Sequence, residues 1–589
     1  MTKTATTQST TNKIRNFSII AHIDHGKTTL TDAFLQLTQT VTPQQFRERM
    51  LDSNPIEQER GVTIKLAPVR MQYQGYTLNL IDTPGHVDFG YEVSRSLAAC
   101  EGAVLLIDAT QGIQAQTLAN WHKAQALGLT IIPVLNKIDL ASAEIEQTLL
   151  ETMETFNVSE DEIILASAKT QENVDKILQA VINQVPPPKT TPKAALQALI
   201  ITSVFDAHKG AIAYVRVMQG ALKNQSLYLL ATQTKFSPKE IGVFAPNMKP
   251  VKELRAGEVG YLATGLKDIK FLKIGDTITS NQARNQVTAL PGFKNPQPMV
   301  FMELYPIDNH DFAALKDAMA KLKLNDAALK YRATHSPALG NGLRVGFLGI
   351  FHAEVIRERL EREFNLELIA TAPAVTYQVI TKQNSKLVIN HPNEMPDPSE
   401  IAEIQEPIAK TMIFSPSEYL DKVIKFCRQK RGRLLNTTNL GNRIKLDYQL
   451  PLAELITDFH DQLKSLSSGF ASLEYELSGY KPVDAVKVDI LINKELIPAL
   501  SFMAVRAEAE TKGRTLVKRL KKVVPRQLFE IPLQAAIGGK IIARETLRAY
   551  RKDVTAKLYG GDRTRRMKLL QKQSKGKKKM KQVGKVELN

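Results

Sequence analysis

Runs of apolar residues alternate with amphipathic stretches through the first third of the chain. Residues 16–37 read as an apolar strand, a polar turn and then apolar positions at helical spacing. Further apolar runs end in Asp82 and in Asn136. Because ligands of parallel sheets bind beyond the carboxyl ends of the strands, we expect the polar residues after these runs to meet at one edge.

The pattern changes several times in the rest of the chain. Prolines at 186–188 form a stiff spacer and mark a boundary that no helix crosses. Residues 196–286 alternate apolar and polar positions between Gly and Asn turns, which predicts a small β-barrel. Residues 297–375, and more loosely 405–482, alternate strand and helix patterns as in a split β-α-β sandwich. His352, which lies within the first of these two regions, is expected to have a structural role at the start of a helix or in packing.

The polar turn after the first strand has the spacing of a phosphate-binding loop. The segment from Ala21 to Thr28 fits G-x-x-x-x-G-K-[ST], with Ala21 in place of the first glycine. Gly26 lets the backbone approach phosphate, Lys27 would reach the β- and γ-phosphates, and the Thr28 hydroxyl would bind Mg²⁺. The alternative is an ordinary strand-turn-helix. The predicted phosphate-binding residues are Asp24, His25, Gly26, Lys27, Thr28 and Thr29.

Two later motifs complete a guanine-nucleotide site. Asp82 ends a strand in DTPGH, where its carboxylate can hold Mg²⁺ through water and the Gly85 amide can sense the γ-phosphate. Asp139, in N-K-x-D, can accept from both N1–H and the exocyclic amine of guanine, a donor pair that adenine lacks. The motifs therefore select GTP over ATP. The predicted base-binding residues are Asn136, Lys137, Ile138, Asp139, Ser167, Ala168 and Lys169.

Thr63 and His86 each leave two interpretations open. Thr63 lies in the charged stretch QERGVTI, where it could complete the Mg²⁺ shell of a switch loop or simply start the next strand. His86 follows the Asp82 motif directly, where residues that position the attacking water occur, although an isolated histidine is more often structural. Its position favours the catalytic interpretation.

Composition excludes several classes of protein. The 589 residues are 43% hydrophobic and 23% charged, as in soluble globular proteins. The two cysteines, Cys100 and Cys427, cannot form a disulfide framework or zinc site, which fits a reducing cytosol. No apolar run reaches the ~18 residues of a membrane span. The polar start of the chain is expected to be a disordered tail.

The net charge of +18 is concentrated at one end. Residues 512–589 contain 24 basic and 5 acidic side chains, which leaves 54 basic against 55 acidic residues in the first 511. Basic runs of this kind contact phosphate backbones without reading bases, so folded RNA is the expected partner. A solvated tail and an anionic membrane surface are the alternatives.

The motifs AHIDHGKTT, ERGVTIK, DTPGHVDF, LNKID and SAK together resemble the guanine-nucleotide domain of translational elongation factors. Longer runs, including GFLGIFHAEVIRERLEREFNLELIATAP and IPLQAAIGGKIIARETLRAYRKDVTAKLYGGD, resemble the LepA, or elongation factor 4, family. The resemblance extends from about Ile14 to Leu588. In that family the first P-loop glycine is commonly alanine, so Ala21 fits the site.

The resemblance also implies roles that the spacing alone does not give. His86 would orient the attacking water on the ribosome, with Ile23 and Val62 flanking it as an apolar gate. Thr63 would be a magnesium ligand beside Thr28 and Asp82. The resemblance also implies that the protein is cytoplasmic, with a further fraction bound peripherally to the cytoplasmic side of the membrane.

We therefore expect a ribosome-dependent GTPase that acts as a translation fidelity factor, with GTP/GDP and Mg²⁺ as cofactors. The resemblance implies one-codon back-translocation of tRNAs, with the ribosome and tRNA as partners of a monomer. A ribosome-assembly or stress-binding factor that uses hydrolysis as a release timer is the alternative; the length counts against elongation factor G itself. The fold class is multidomain α/β and β: a disordered tail (1–15), P-loop GTPase domain (16–188), β-barrel (189–292), two ferredoxin-like α+β domains (297–375 and 400–482) and basic C-terminal RNA-contacting domain (483–589).

Overall fold

The structure is a computed structural model. It describes residues 11–550, except 53, 62, 192–193, 207, 267–270, 293–295, 327, 337–338, 441–442 and 528, together with residues 567–573. The predicted tail at 1–15 lies mostly outside these residues, but its last two positions, Ile14 and Arg15, are buried and begin the first strand.

A six-stranded sheet with helices on both faces forms the N-terminal unit. Its strands are ordered β2-β3-β1-β4-β5-β6, all parallel except β2. All eight residues of β1 are buried, as expected for a central strand covered on both faces. The strands are β1 (Ile14–Ala21), β2 (Ala67–Tyr73), β3 (Tyr76–Asp82), β4 (Gly102–Asp108), β5 (Thr130–Asn136) and β6 (Ile164–Leu165); the helices are α1 (Lys27–Leu37), α2 (Pro55–Arg60), α3 (Gly90–Ala98), α4 (Ala115–Ala126), α5 (Ile145–Phe156) and α6 (Val174–Gln184).

An antiparallel eight-stranded sheet follows, with the strand order β11-β10-β16-β7-β8-β15-β12-β13, and β9 pairs separately with β14. It packs against the first unit through an ion pair between Arg216 and Glu101 and a hydrogen bond of 3.0 Å from Asn16 Nδ2 to the carbonyl of Gly257. The strands are β7 (Gln197–Asp206), β8 (Gly210–Gln219), β9 (Ala221–Lys223), β10 (Leu227–Leu229), β11 (Thr234–Phe236), β12 (Glu240–Phe244), β13 (Met248–Pro250), β14 (Glu253–Arg255), β15 (Val259–Ala263) and β16 (Thr277–Ser280).

Two β-α-β-β-α-β units come next, and both have the antiparallel strand order of ferredoxin-like folds. In the first, the sheet order is β18-β19-β17-β20, and in the second it is β25-β26-β24-β27. The first contains β17 (Val300–Pro306), α7 (Phe312–Leu324), β18 (Lys330–Ser336), β19 (Gly340–Phe347), α8 (Ile350–Phe364) and β20 (Leu368–Ala370), followed by β21 (Ala374–Val375), β22 (Tyr377–Thr381) and β23 (Lys386–Ile389). The second contains β24 (Ile401–Pro416), α9 (Leu420–Gln429), β25 (Arg433–Leu440), β26 (Arg443–Pro451), α10 (Leu452–Leu455), α11 (Phe459–Leu466) and β27 (Ser472–Pro482).

The last unit packs one long helix on a small sheet, β28 (Ala485–Ile492), β29 (Glu495–Leu496), β30 (Phe502–Val505), β31 (Ile531–Ile537) and β32 (Lys540–Leu547). Helix α12 (Arg506–Val523) buries Ala509, Gly513 and Val517, which are spaced four residues apart and so share one face. Within the basic segment 512–589, residues 551–589 lie outside the described residues except for 567–573. Among the described residues, none of the helices is both long and apolar enough to cross a membrane.

The predicted fold class is confirmed: a nucleotide-binding α/β unit, a β-barrel, two ferredoxin-like units and a basic C-terminal unit follow one another along the chain. The ends of β1, β3 and β5 lie along one edge of the first sheet, because β1 is parallel to β3 and is connected to β5 through β4. That edge carries the candidate site.

Candidate nucleotide-binding site

The phosphate-binding loop joins β1 to α1 and requires two residues in the left-handed region. Asp24 has a φ of 64° and Gly26 a φ of 96°. The first residues of α1, whose backbone amides have no partner within the helix, line a pocket of about 250 Å³. The pocket is lined by His22, Ile23, Asp24, Gly26, Lys27, Thr28, Thr29, Arg49, Gly61, Thr63, Gly85 and Lys137.

Lys27 connects the loop to the end of β3. Its Nζ donates to Asp82 Oδ1 and to Thr63 Oγ1, each at 3.0 Å, and to the carbonyl of Thr83. The lysine is buried, so its charge is balanced by Asp82 rather than by water. Thr63 precedes β2, which begins only at Ala67, so it lies in a loop rather than in the strand.

Asp52 is a member of this cluster that no sequence motif marks. It is 1% exposed, and the Thr63 hydroxyl donates to its Oδ1 at 3.1 Å. Burial, together with the negative charges of Asp82 and Glu57, raises the pKa of Asp52 to about 6. Arg49, which also lines the pocket, likewise belongs to none of the motifs, whereas Gly61 lies in the ERGVTIK motif but was not predicted as a site residue.

The residues predicted to bind the base lie together at the end of β5. Asn136 Nδ2 donates to the carbonyl of His25 at 2.9 Å, and the Ala168 amide donates to Asn136 Oδ1 at 2.9 Å. The Ser167 hydroxyl donates to Asp139 Oδ1 at 2.7 Å. The S-A-K segment thus supports the N-K-x-D segment, while Lys169 is exposed and Ile138 half-buried beside them.

Lys137 and His25 contribute in ways that the motifs do not specify. Lys137 Nζ donates to the carbonyl of Asp24 at 2.7 Å and pairs with Asp108 Oδ2 at 2.7 Å, which fastens the P-loop to β4. The His25 side chain is fully buried, and burial lowers its pKa to about 4. His25 is not one of the residues that line the pocket, so it contributes to the site through its backbone carbonyl, which accepts from Asn136.

His86 lies outside the pocket. Its Nδ1 accepts from the Asp88 amide at 3.2 Å, and its ring stacks on Phe351 of α8 with the centroids 4.2 Å apart and an interplanar angle of 21°. Burial in this contact lowers the pKa of His86. Ile23, one side of the expected apolar gate, lines the pocket, whereas Val62 lies outside the described residues.

Helix α8 touches both segments that flank the pocket. Arg60, the last residue of α2, pairs with Glu354 at 3.0 Å and with Glu358 at 2.8 Å. Asp88 Oδ2 accepts from the His352 amide at 3.1 Å, in the first turn of α8. The Thr63-containing segment and the His86-containing segment are thus joined to the same helix.

His352 has the helix-start and packing role that was expected. Its Nδ1 accepts from the Leu348 amide at 3.1 Å, and its Nε2 lies 2.7 Å from Asp326 Oδ2. Although burial opposes it, the Asp326 carboxylate raises the pKa of His352. Because Nδ1 accepts, the ring proton is on Nε2, which donates to the Asp326 carboxylate and forms a buried pair with it beneath the helix.

Four protein families match successive parts of the chain. These are the elongation factor Tu GTP binding domain at residues 12–187, elongation factor Tu domain 2 at 210–279, the elongation factor G C-terminus at 403–491 and the GTP-binding protein LepA C-terminus at 492–589. With the P-loop, Asp82 and N-K-x-D segments gathered at one sheet edge, they define a translational GTPase.

Full-length relatives identify the family. The chain is 50% identical over 586 residues to an elongation factor 4 of Thermus thermophilus, covering 98% of this chain and 96% of the relative. It is 49% identical over 583 residues to elongation factor 4 of Bacillus subtilis 168, covering 98% and 95%. The chain belongs to the elongation factor 4, or LepA, family of ribosome-stimulated GTPases.

A solved structure supports the fold alone. The crystal structure of a protein from Thermus thermophilus superposes with a TM-score of 0.56 at 18% identity, covering 80% of this chain and 97% of that chain.

Proposed function

We propose that this GTPase acts as a translation fidelity factor in which the ribosome triggers hydrolysis by bringing His86 to the nucleotide. The observation that carries the proposal is the position of His86. The phosphate-binding residues surround one pocket, whereas His86 is stacked on Phe351 outside it. A site with its nucleotide residues in place and its water-positioning residue withdrawn needs an activating partner.

GTP or GDP fits the pocket, with Mg²⁺ as the accompanying metal. The fit rests on Asp82 Oδ2, which is buried and has no hydrogen-bond partner among the described residues. Asp82 Oδ1 and the Thr63 hydroxyl both lie 3.0 Å from Lys27 Nζ, so the oxygen donors that Mg²⁺ prefers are gathered in one place. Thr28, Thr63 and Asp82 would hold the metal, which neutralises phosphate charge when bound.

The chain's own residues then have separate tasks. Lys27 would exchange its present partners for the β- and γ-phosphates, and Gly85, which lines the pocket, would offer its amide to the γ-phosphate. Asp139, held by Ser167, accepts from the guanine edge. His86 orients the attacking water after leaving Phe351, and the Thr63 loop releases when the γ-phosphate is gone.

Ribosomal RNA is the proposed partner of the basic C-terminal unit. On α12, Lys518, Arg519 and Lys522 are exposed on the face opposite the buried Ala509 and Val517. Such a face contacts phosphates and gives salt-dependent affinity without base selection. We propose tRNA on the ribosome as the further partner, with one-codon back-translocation as the outcome.

The proposed site of action is the cytoplasm, with the protein acting as a monomer. The peripheral membrane pool would use the same cations on anionic lipid. Fractionation before and after a high-salt wash tests it: a membrane-bound fraction that salt releases supports this pool, and absence of the protein from washed and unwashed membranes contradicts it.

The decisive experiment measures single-turnover GTP hydrolysis with and without ribosomes for the wild type and His86→Ala. We expect ribosomes to accelerate the wild type strongly and His86→Ala to lose most of that acceleration while still binding GTP. His122→Ala is the matched control, because His122 is an exposed histidine of the same domain. Full ribosome stimulation in His86→Ala would contradict the catalytic assignment.

A further inference from the structure

The ring of Phe351 contacts both of the segments that flank the pocket. The His86 ring stacks on it with the centroids 4.2 Å apart, and the Arg60 guanidinium lies over the same ring, 5.5 Å from its centroid. Phe89 also meets it edge-on at 6.1 Å. The residue belongs to a ferredoxin-like unit and is only half-buried, yet the contacts named here are made with the nucleotide-binding domain.

The start of α8 is shaped to receive the His86 segment. Gly349 lies immediately before the helix, and a β-carbon there would be 2.1 Å from the Asp88 carboxylate. That close approach lets Asp88 accept from the His352 amide at 3.1 Å, where the positive end of the helix dipole favours a carboxylate. Since Asp88 is two residues from His86, this cap fixes the backbone from which His86 projects.

The other segment is tied to the same helix by charge. Arg60 pairs with Glu354 and Glu358, and Glu59 pairs with Arg362 at 2.7 Å. Individually these exposed pairs contribute little, but all of them join α2 to α8. Movement of α8 therefore alters both segments together.

We propose that Phe351 is a positioning residue that holds His86 outside the nucleotide pocket, and that α8 must separate from His86 before hydrolysis proceeds. The inference rests on the proposed catalytic role of His86. It adds that the restraint is supplied by another domain of the same chain, so an event that moves that domain releases the histidine.

The test is GTP hydrolysis without ribosomes by the full-length protein carrying Phe351→Leu. Leucine keeps apolar contact with Phe89 but removes the ring stack. Loss of the ring stack should raise the ratio of unstacked to stacked His86 by roughly two- to tenfold. We therefore expect a rise in kcat of about that size with KM unchanged. Phe351→Tyr should retain the low rate, and Phe470→Leu, a change at a 45% exposed phenylalanine, should have no effect.

Two further measurements separate the inference from the proposed function. The double variant Phe351→Leu/His86→Ala should hydrolyse GTP no faster than His86→Ala; an equal rise in both backgrounds would overturn the inference. An unchanged rate in Phe351→Leu would also overturn the inference. If His86→Ala had lost ribosome stimulation in the same experiments, the proposed function would still stand.

Diethylpyrocarbonate labelling of His86, followed by mass spectrometry, measures how accessible the His86 ring is and does not depend on catalysis. We expect faster labelling in Phe351→Leu than in the wild type or Phe351→Tyr. Equal protection of His86 in all three proteins would show that the ring does not restrain it, even if His86 proved to have no catalytic role.

Discussion

The side-chain nitrogen of Asn136 occupies the space that a β-carbon on Gly26 would need, since the two atoms would be only 2.4 Å apart. Gly26 also has a φ of 96°, which side chains rarely adopt. The P-loop and the base-binding segment are therefore packed against each other at a position that only glycine satisfies.

Gly26→Ala should lower GTP and GDP affinity by about tenfold or more, because left-handed strain alone costs ~1–2 kcal/mol and the clash with Asn136 adds to it. Titration with a fluorescent guanine nucleotide measures the change. Gly128→Ala is the matched control, because Gly128 has a φ of 69° but open space around its β-carbon position. Wild-type affinity in Gly26→Ala would contradict the packing argument.

Asp139→Asn should weaken GTP binding and create binding of xanthosine triphosphate. An amide can donate to the 2-carbonyl of xanthine, whereas it no longer accepts twice from guanine. Competition binding with both nucleotides measures the switch, and an unchanged guanine preference would refute the assignment.

Ser167→Ala provides the comparison for that experiment. It removes the 2.7 Å hydrogen bond to Asp139 but keeps the carboxylate. We expect weaker GTP binding, by about tenfold or more for one charge-assisted hydrogen bond, with no gain of xanthosine triphosphate.

The sequence predicts which residues meet at this sheet edge because the motifs are local. Gly26, Lys27 and Asp82 lie in short motifs at strand ends, and parallel strands bring such ends to one edge whatever the rest of the chain does. The alternation of strand and helix patterns likewise predicts each ferredoxin-like unit from its own residues.

Contacts between separately folded units are what the sequence does not predict. Asp88 and His352 are 264 residues apart, and Arg443 and Ile113 are 330 apart. No hydrophobic period encodes which surfaces of two domains meet, so the sequence does not predict that His86 stacks on Phe351. Asp52 was missed for a related reason, because only the folded loop buries it beside Thr63.

Arg443→Ala should loosen the contact between the second ferredoxin-like unit and the nucleotide-binding domain. Arg443 donates to the carbonyls of Ile113, at 2.9 Å, and Gln111, and it lies 3.9 Å from the half-buried Glu151. Its removal leaves these acceptors unpaired, at a cost of about 1–3 kcal/mol. A lower thermal midpoint is expected.

The control for that variant is Arg433→Ala, a change at an exposed position of the neighbouring strand. Arg443→Ala/Glu151→Gln should recover part of the loss, because burial already raises the pKa of Glu151 and Arg443 opposes that rise. Equal midpoints for Arg443→Ala and the wild type would show that the contact contributes no stability.

Glu474 gives a prediction about pH. It lies on β27 with a side chain 14% exposed, 3.8 Å from Lys123 of α4, and its Oε2 has no hydrogen-bond partner among the described residues. Burial raises its pKa to about 7, and Lys123 only partly offsets this. The folded protein thus holds this proton more tightly than the unfolded chain does.

Below about pH 4.5 Glu474 is protonated in the folded and the unfolded state and does not change the free energy of unfolding. As the pH rises to about 7, the carboxyl group ionises first in the unfolded chain, so the folded state loses stability. Glu474→Gln removes this loss. We expect it to match the wild type near pH 4 and to melt several degrees higher at pH 8.5, for a gain of about 1–3 kcal/mol. Glu476→Gln, at an exposed position two residues on, should melt like the wild type at both pH values. A Glu474→Gln midpoint that exceeds the wild type equally at both pH values would instead indicate better packing, because only an ionising carboxyl group makes the difference grow with pH.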